Sequence, residues 1–162
     1  MNVAAAIVLL CAAPLLQRGA PTPVRIVGPT YEGAIISGEA QLDSDPRHVL
    51  KVTEVWTPTE AEVREAEELL PEYLDSRDAV SVLRGSGLKA QLPRYKRQYW
   101  GVIRSGKREI LIHFYREDTS VGQKRLWLQG IVAVAGGGAQ FFRVTYQPQT
   151  KRFSRLQINA PE

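Results

Sequence analysis

Between Thr57 and Asn159 the chain carries one helical apolar stripe followed by a run of two-residue alternations, and this order constrains the fold more than anything else in it. Thr57-Pro58-Thr59-Glu60 reads as a capping box with Pro58 in the first helical position, where its missing N–H costs nothing. Val63, Ala66, Leu70, Tyr73 and Leu74 then recur at helical spacing, with Glu62, Glu65 and Glu68 outside the stripe. The spacing predicts a helix from Pro58, kinked or restarted near Leu70 because Pro71 removes a backbone donor. Asp75 to Gly87 reads as a loop.

The rest reads as antiparallel strands. Tyr95 to Ile103 and Arg108 to Tyr115 flank Arg104-Ser105-Gly106-Lys107, a hairpin turn. Leu126 to Ala135 and Phe141 to Tyr146 flank Gly136-Gly137-Gly138, and a last strand follows Gln147-Pro148-Gln149-Thr150 and ends near Asn159. In the final hairpin Phe142, Val144, Tyr146, Leu156 and Ile158 share one face, and Arg143, Thr145, Gln147, Arg155 and Gln157 the other. Around Ile112 both faces are apolar, since Ile110, Ile112 and Phe114 alternate with Leu111 and Tyr115. Something must cover the second face: the N-terminal segment, a ligand or a second subunit in a homodimer.

Before the helix the pattern is less regular. The apolar run Val3 to Leu16, ending at Gln17-Arg18 and Gly19-Ala20-Pro21, has the outline of a secretory signal peptide over residues 1–20. It is too short to span a bilayer as a helix. Residues 21–47 form an extended lead-in with an edge strand, and His48 to Trp56 favours a strand at the start of a single α+β domain over 48–162. The single cysteine, Cys11, would leave with the leader, so no disulfide is expected in this secreted or periplasmic bacterial domain.

This element order resembles the cystatin-like or NTF2-like arrangement, in which a curved antiparallel sheet of about five to six strands grips one long helix. The resemblance implies a fold that hosts inhibitors, enzymes and binding modules alike. The cystatin family's Gln-x-Val-x-Gly loop is not reproduced, because Gln129-Gly130-Ile131-Val132-Ala133 departs from it at the Val and Gly positions. A closer resemblance lies in Tyr95 to Val102, Gly106-Lys107-Arg108, Gly136-Gly137 and Tyr146 to Asn159. These resemble small secreted bacterial proteins over about the last 65 residues. That likeness implies location and fold and brings no catalytic residues.

Charge is the strongest functional signal. From Glu60 to Asp78 there are eight acidic and two basic residues, a balance of −6; from Arg84 onward fifteen basic and four acidic residues give +11. A basic face focuses anionic partners such as an acidic glycan, a lipid headgroup or an acidic protein. Arg97, Tyr99, His113, Arg143 and Arg155 are the candidate binding residues. Nucleic acid is not expected outside the cytoplasm, although aromatics interleave the basic region.

Catalytic patterns are missing. Gly136 to Gly138 lacks Walker spacing and opens no helix. Asp43, Asp45 and His48 match no recognised metal spacing. Serine elbows, paired catalytic carboxylates and Cys/His dyads are absent as sequence patterns, so no cofactor and no metal are expected. The expectation is a binding module rather than an enzyme. An inhibitor of a secreted hydrolase and a small NTF2-like enzyme are the alternatives.

Overall fold

A computed structural model describes residues 22–43, 52 and 54–161. The leader expected over 1–20 lies outside them, as do residues 44–51 and 53, so of the strand expected over His48 to Trp56 only the end at Glu54–Trp56 is described. The fold is α+β. Its strands are β1 (Val24–Val27), β2 (Glu32–Ile36), β3 (Glu54–Trp56), β4 (Tyr95–Arg104), β5 (Lys107–Arg116), β6 (Phe141–Gln147) and β7 (Arg152–Ile158). Among the described residues the α-helices are α1 (Gly38–Asp43), α2 (Glu60–Leu74), α3 (Arg77–Leu83), α4 (Leu88–Gln91) and α5 (Ser120–Gln123). Among the described residues the strands form one seven-stranded sheet in the order β1-β2-β4-β5-β6-β7, with β3 also paired to β4.

The sheet is mixed rather than antiparallel. β2 runs parallel to β4, from Glu32 opposite Lys96 to Ile36 opposite Trp100, while β3 takes the far end of β4 in antiparallel register. A parallel pair needs a long crossover, and the chain between β2 and β4 supplies it through α2 to α4. Gly101 permits the β3 contact: a Cβ there would stand 2.4 Å from the Trp56 carbonyl oxygen. The hairpin between β4 and β5 turns through Ser105 and Gly106, at φ 51° and 73°. Two left-handed residues in a two-residue loop suit the twist of the flanking strands.

α2 starts later than the sequence suggests. Thr59, not Thr57, is the N-cap: the Glu62 backbone N–H donates to its hydroxyl at 3.2 Å, and its own N–H donates to the Glu62 carboxylate at 2.9 Å. The Thr57 hydroxyl instead accepts from Gly38 N–H at 2.9 Å, tying α1 to the strand-to-helix junction. Thr59→Ala is expected to cost about 1 kcal/mol. Urea denaturation checks this, and an unchanged midpoint would move the cap elsewhere. Nor does Pro71 stop the helix, which runs on to Leu74. It sits in the last turn, where it forfeits one bond to the Glu67 carbonyl while Leu70 and Leu74 stay buried. The expected loop after Asp75 contains α3, capped by Ser76.

Both faces of the sheet are packed. On one, Val63, Ala66, Leu70 and Leu74 of α2 meet Tyr95, Tyr99, Ile112, Phe114, Val144 and Tyr146. On the other, Trp100, Val102, Leu111 and Tyr115 lie under Ala40, Val52, Val121 and Trp127. Ile131, Val132 and Val134 extend that cover, so the chain itself covers the second apolar face. Leu126 to Ala135, expected as a strand, is the covering segment. It holds a short 3-10 turn at Leu126–Leu128 and is otherwise irregular.

Candidate functional site

Strand parity decides where each candidate residue goes. Arg97 and Tyr99 share the helix-facing side of β4 with Tyr95, and both are fully buried. Arg97 Nε lies 3.0 Å from Glu67 Oε1 on α2, and the Tyr99 hydroxyl donates to the same oxygen at 2.9 Å. The guanidinium also donates to the Tyr95 carbonyl at 2.7 Å and lies 5.3 Å from the centre of the Phe114 ring. Burial pushes the Glu67 carboxyl above its ordinary value, against the pull of Arg97 and the Tyr99 hydrogen bond. It likewise pushes the Tyr99 phenol well up, with the Glu67 charge adding to the effect. This is a buried ionic cluster in the core, closed to a partner at the surface.

His113, Arg143 and Arg155 belong to the other side. Register places His113 opposite Gln98 on β4 and opposite Arg143 on β6, and Arg143 opposite Gln157 on β7. The His113 ring stacks on Trp100 at 4.1 Å. Burial, reinforced by the Arg143 charge, lowers its pKa to about 3, so the imidazole is neutral at physiological pH. A neutral, stacked ring is a structural partner and a poor anion ligand. Arg143 donates to the Gln157 side-chain oxygen from Nε at 3.2 Å and from a terminal nitrogen at 2.7 Å. Arg155 reaches Glu109 at 2.9 Å, and Arg104 reaches the same carboxylate at 2.7 Å, so two guanidiniums meet one carboxylate. Arg155 gets there from a left-handed backbone, φ 54°, within the register shift between β6 and β7.

Much of the charge contrast read from the sequence is met inside the domain. Glutamates of α2 face cations of the sheet: Glu62 with Arg108 at 3.8 Å, Glu65 with Lys151 at 2.5 Å, and Glu67 with Arg97. The acidic helix and basic strands therefore partly neutralise one another across the interface where they pack.

The polar residue that organises the second face has no signal in the sequence. Gln98 donates to the carbonyls of Trp127 at 2.8 Å and Gly130 at 2.6 Å. Its oxygen accepts from Trp100 Nε1 at 3.2 Å, the Tyr115 hydroxyl at 3.0 Å and Val132 N–H at 3.2 Å. Asn159 adds two more bonds, to the carbonyls of Val134 and Gly136. The covering segment is thus held by side chains standing on the sheet. On the same face of the last hairpin Arg143 is half-buried and Arg155 is exposed.

Among the described residues no three His, Cys, Asp or Glu side chains group to hold a metal, and no helix is long and apolar enough to cross a membrane. No family model, curated protein or solved structure matches the chain.

Proposed function

We propose that the chain is an exported, non-enzymatic binding domain that takes an anionic partner on the polar face of its last hairpin, at Arg143 and Arg155. The observation that carries this reading is how Arg143 is held. Its guanidinium is fixed by an uncharged amide, Gln157, so it is oriented without being neutralised. Beside it, Glu109 is shared between two arginines. An acidic glycan, a lipid headgroup and an acidic protein all supply the carboxylate, sulfate or phosphate oxygens that such a fork accepts.

The cystatin-like or NTF2-like arrangement remains our description of how the sheet holds α2. The space between α2 and the sheet, where an enzyme of that kind would place its pocket, is filled here by Tyr95, Tyr99, Phe114, Arg97 and Glu67. Binding therefore belongs on the outer face.

Heparin serves as the polyanion probe, followed by acidic glycans and anionic vesicles at low and moderate salt. Native protein is expected to bind with an affinity that falls as salt rises. Arg143→Gln with Arg155→Gln should weaken binding by about tenfold, on the scale of about 0.5–1 kcal/mol for each exposed charge. Glutamine is the right replacement, because a glutamate at 155 would face Glu109. Equal binding by native and double variant would reduce this face to a solvated surface. N-terminal sequencing of the exported protein tests the address, and a chain still starting at Met1 in the cytoplasm would sink it.

A further inference from the structure

A second, chemically different site lies on the helix side of the sheet, where α2 ends, α3 begins and the chain turns from β6 into β7. Leu69, Glu72, Tyr73, Asp78 and Phe153 help to line an open groove of about 470 Å³, a size that suits a small molecule. Its floor is apolar and aromatic. The rings of Tyr73 and Phe153 stack at 5.0 Å with 23° between their planes, and Phe153 rests in turn on Tyr146 at 4.8 Å. Tyr146 is fully buried, so this floor is anchored in the core.

The charge bordering this floor is of one sign. Glu72 follows Glu65 by seven residues, about two turns along α2, and so emerges on the side from which Glu65 reaches Lys151. Burial lifts the Tyr73 phenol above its ordinary value, and the charge of Asp78 on α3 adds to the effect, which sets that carboxylate close to the ring. Among the described residues neither Glu72 nor Asp78 makes an ion pair. The nearby cations do not answer them. Lys151 is taken up by Glu65, and Lys89 by Asp75. Arg152 stands opposite Gln147 in the register, which sends its side chain to the face of the sheet away from Tyr73 and Phe153. Arg77 does not border the groove. An anion would meet repulsion from two carboxylates, and a neutral apolar molecule would leave both unanswered. A cation on an apolar body meets the carboxylates with its charge and the rings with the rest.

We propose that this groove binds a small organic cation, a primary ammonium on an apolar body: ammonium toward Glu72 and Asp78, body against Leu69, Tyr73 and Phe153. A primary ammonium suits the site because its N–H groups can donate to both carboxylates. The chain as a whole carries a net charge of +4, so its overall field does not gather cations, and the attraction is local to the groove. The site is separate from the polar face of the last hairpin and does not depend on binding there.

Three probes of matched shape test it at neutral pH: phenethylamine, which is protonated there, phenethyl alcohol, which is neutral, and phenylpropanoate, which is an anion. Titration of the full chain is followed through the backbone amide resonances of Ser76 and Phe153, both at the groove. The amine is expected to shift both, the alcohol to bind about fivefold more weakly, and the anion more weakly still. Glu72→Gln with Asp78→Asn should bring the amine down to the level of the alcohol. Arg152→Gln should leave the preference for the amine intact, because that side chain stands on the other face. All three positions are exposed, so the fold is expected to survive. The proposal fails if the amine shifts neither resonance, if amine and alcohol bind the native chain alike, or if the preference survives the double variant or is lost in Arg152→Gln.

Discussion

Replacing Arg97 by methionine is expected to cost the domain about 3–5 kcal/mol, the scale for removing one partner of a buried ion pair. The loss arises because Glu67, at 8% exposure, would keep a charge that only the Tyr99 hydroxyl still meets. Adding Glu67→Leu should restore much of it, since no uncompensated charge then remains. The pH dependence has a definite sign. Glu67 already has a raised pKa in the folded protein, so its contribution favours folding at low pH and is given up as pH climbs through the folded value. Without Arg97 the carboxyl rises further. The Arg97→Met deficit should therefore be larger at pH 7 than at pH 5 in urea unfolding. A loss under about 1 kcal/mol, or one that grows on acidification, would contradict the buried-pair account.

Gln98→Leu is expected to be nearly as damaging, by a different route. The variant strands the carbonyls of Trp127 and Gly130 and the donors Trp100 Nε1 and Val132 N–H, all of which the amide now meets. The Tyr115 hydroxyl keeps the Val132 carbonyl at 2.7 Å as its acceptor. At about 1–3 kcal/mol for each buried group left unpaired, with relaxation of the segment recovering part, the net loss should be about 3 kcal/mol. The discriminating measurement is hydrogen exchange. Val132 should lose protection while Tyr99 and Ile112 in the strands keep theirs, because the segment opens before the sheet does. Unchanged protection at Val132 would show that packing alone holds the cover.

What could be read from the sequence is what short-range chemistry dictates. The Ser105-Gly106 turn and the alternation of the last two strands appear where expected, because each rests on neighbours in the chain. The α2 stripe does so too, although its cap lies two residues further on. The parallel pairing of β2 with β4 does not show, since it joins segments some sixty residues apart. Leu126 to Ala135 misleads for a reason visible in its bonds. Its backbone groups are taken by the side chains of Gln98, Tyr115 and Asn159, so an apolar run with strand-like composition needs no strand partner. The candidate site divides on similar grounds. Counting charges gives +11 but cannot show that Arg97, alternating in phase with Tyr95 and Tyr99, points into the core. Arg143 and Arg155 fall on the polar face that the alternation of the last hairpin predicts, Arg143 on the inner strand β6 and Arg155 on the edge strand β7.

The backbone at Arg155 also bears on the protein's behaviour at high concentration. β7 ends the sheet, and an unpaired terminal strand is a template on which other chains can add. Here the register between β6 and β7 slips beside Arg143 and Thr145, and Arg155 takes up the left-handed conformation. This irregularity breaks the even spacing of outward N–H and C=O groups that a foreign strand would need. Arg152 and Arg155 add like charges that repel a second copy laid against the first. The geometry that lets Arg155 reach Glu109 thus also helps to keep the sheet from growing into a fibre.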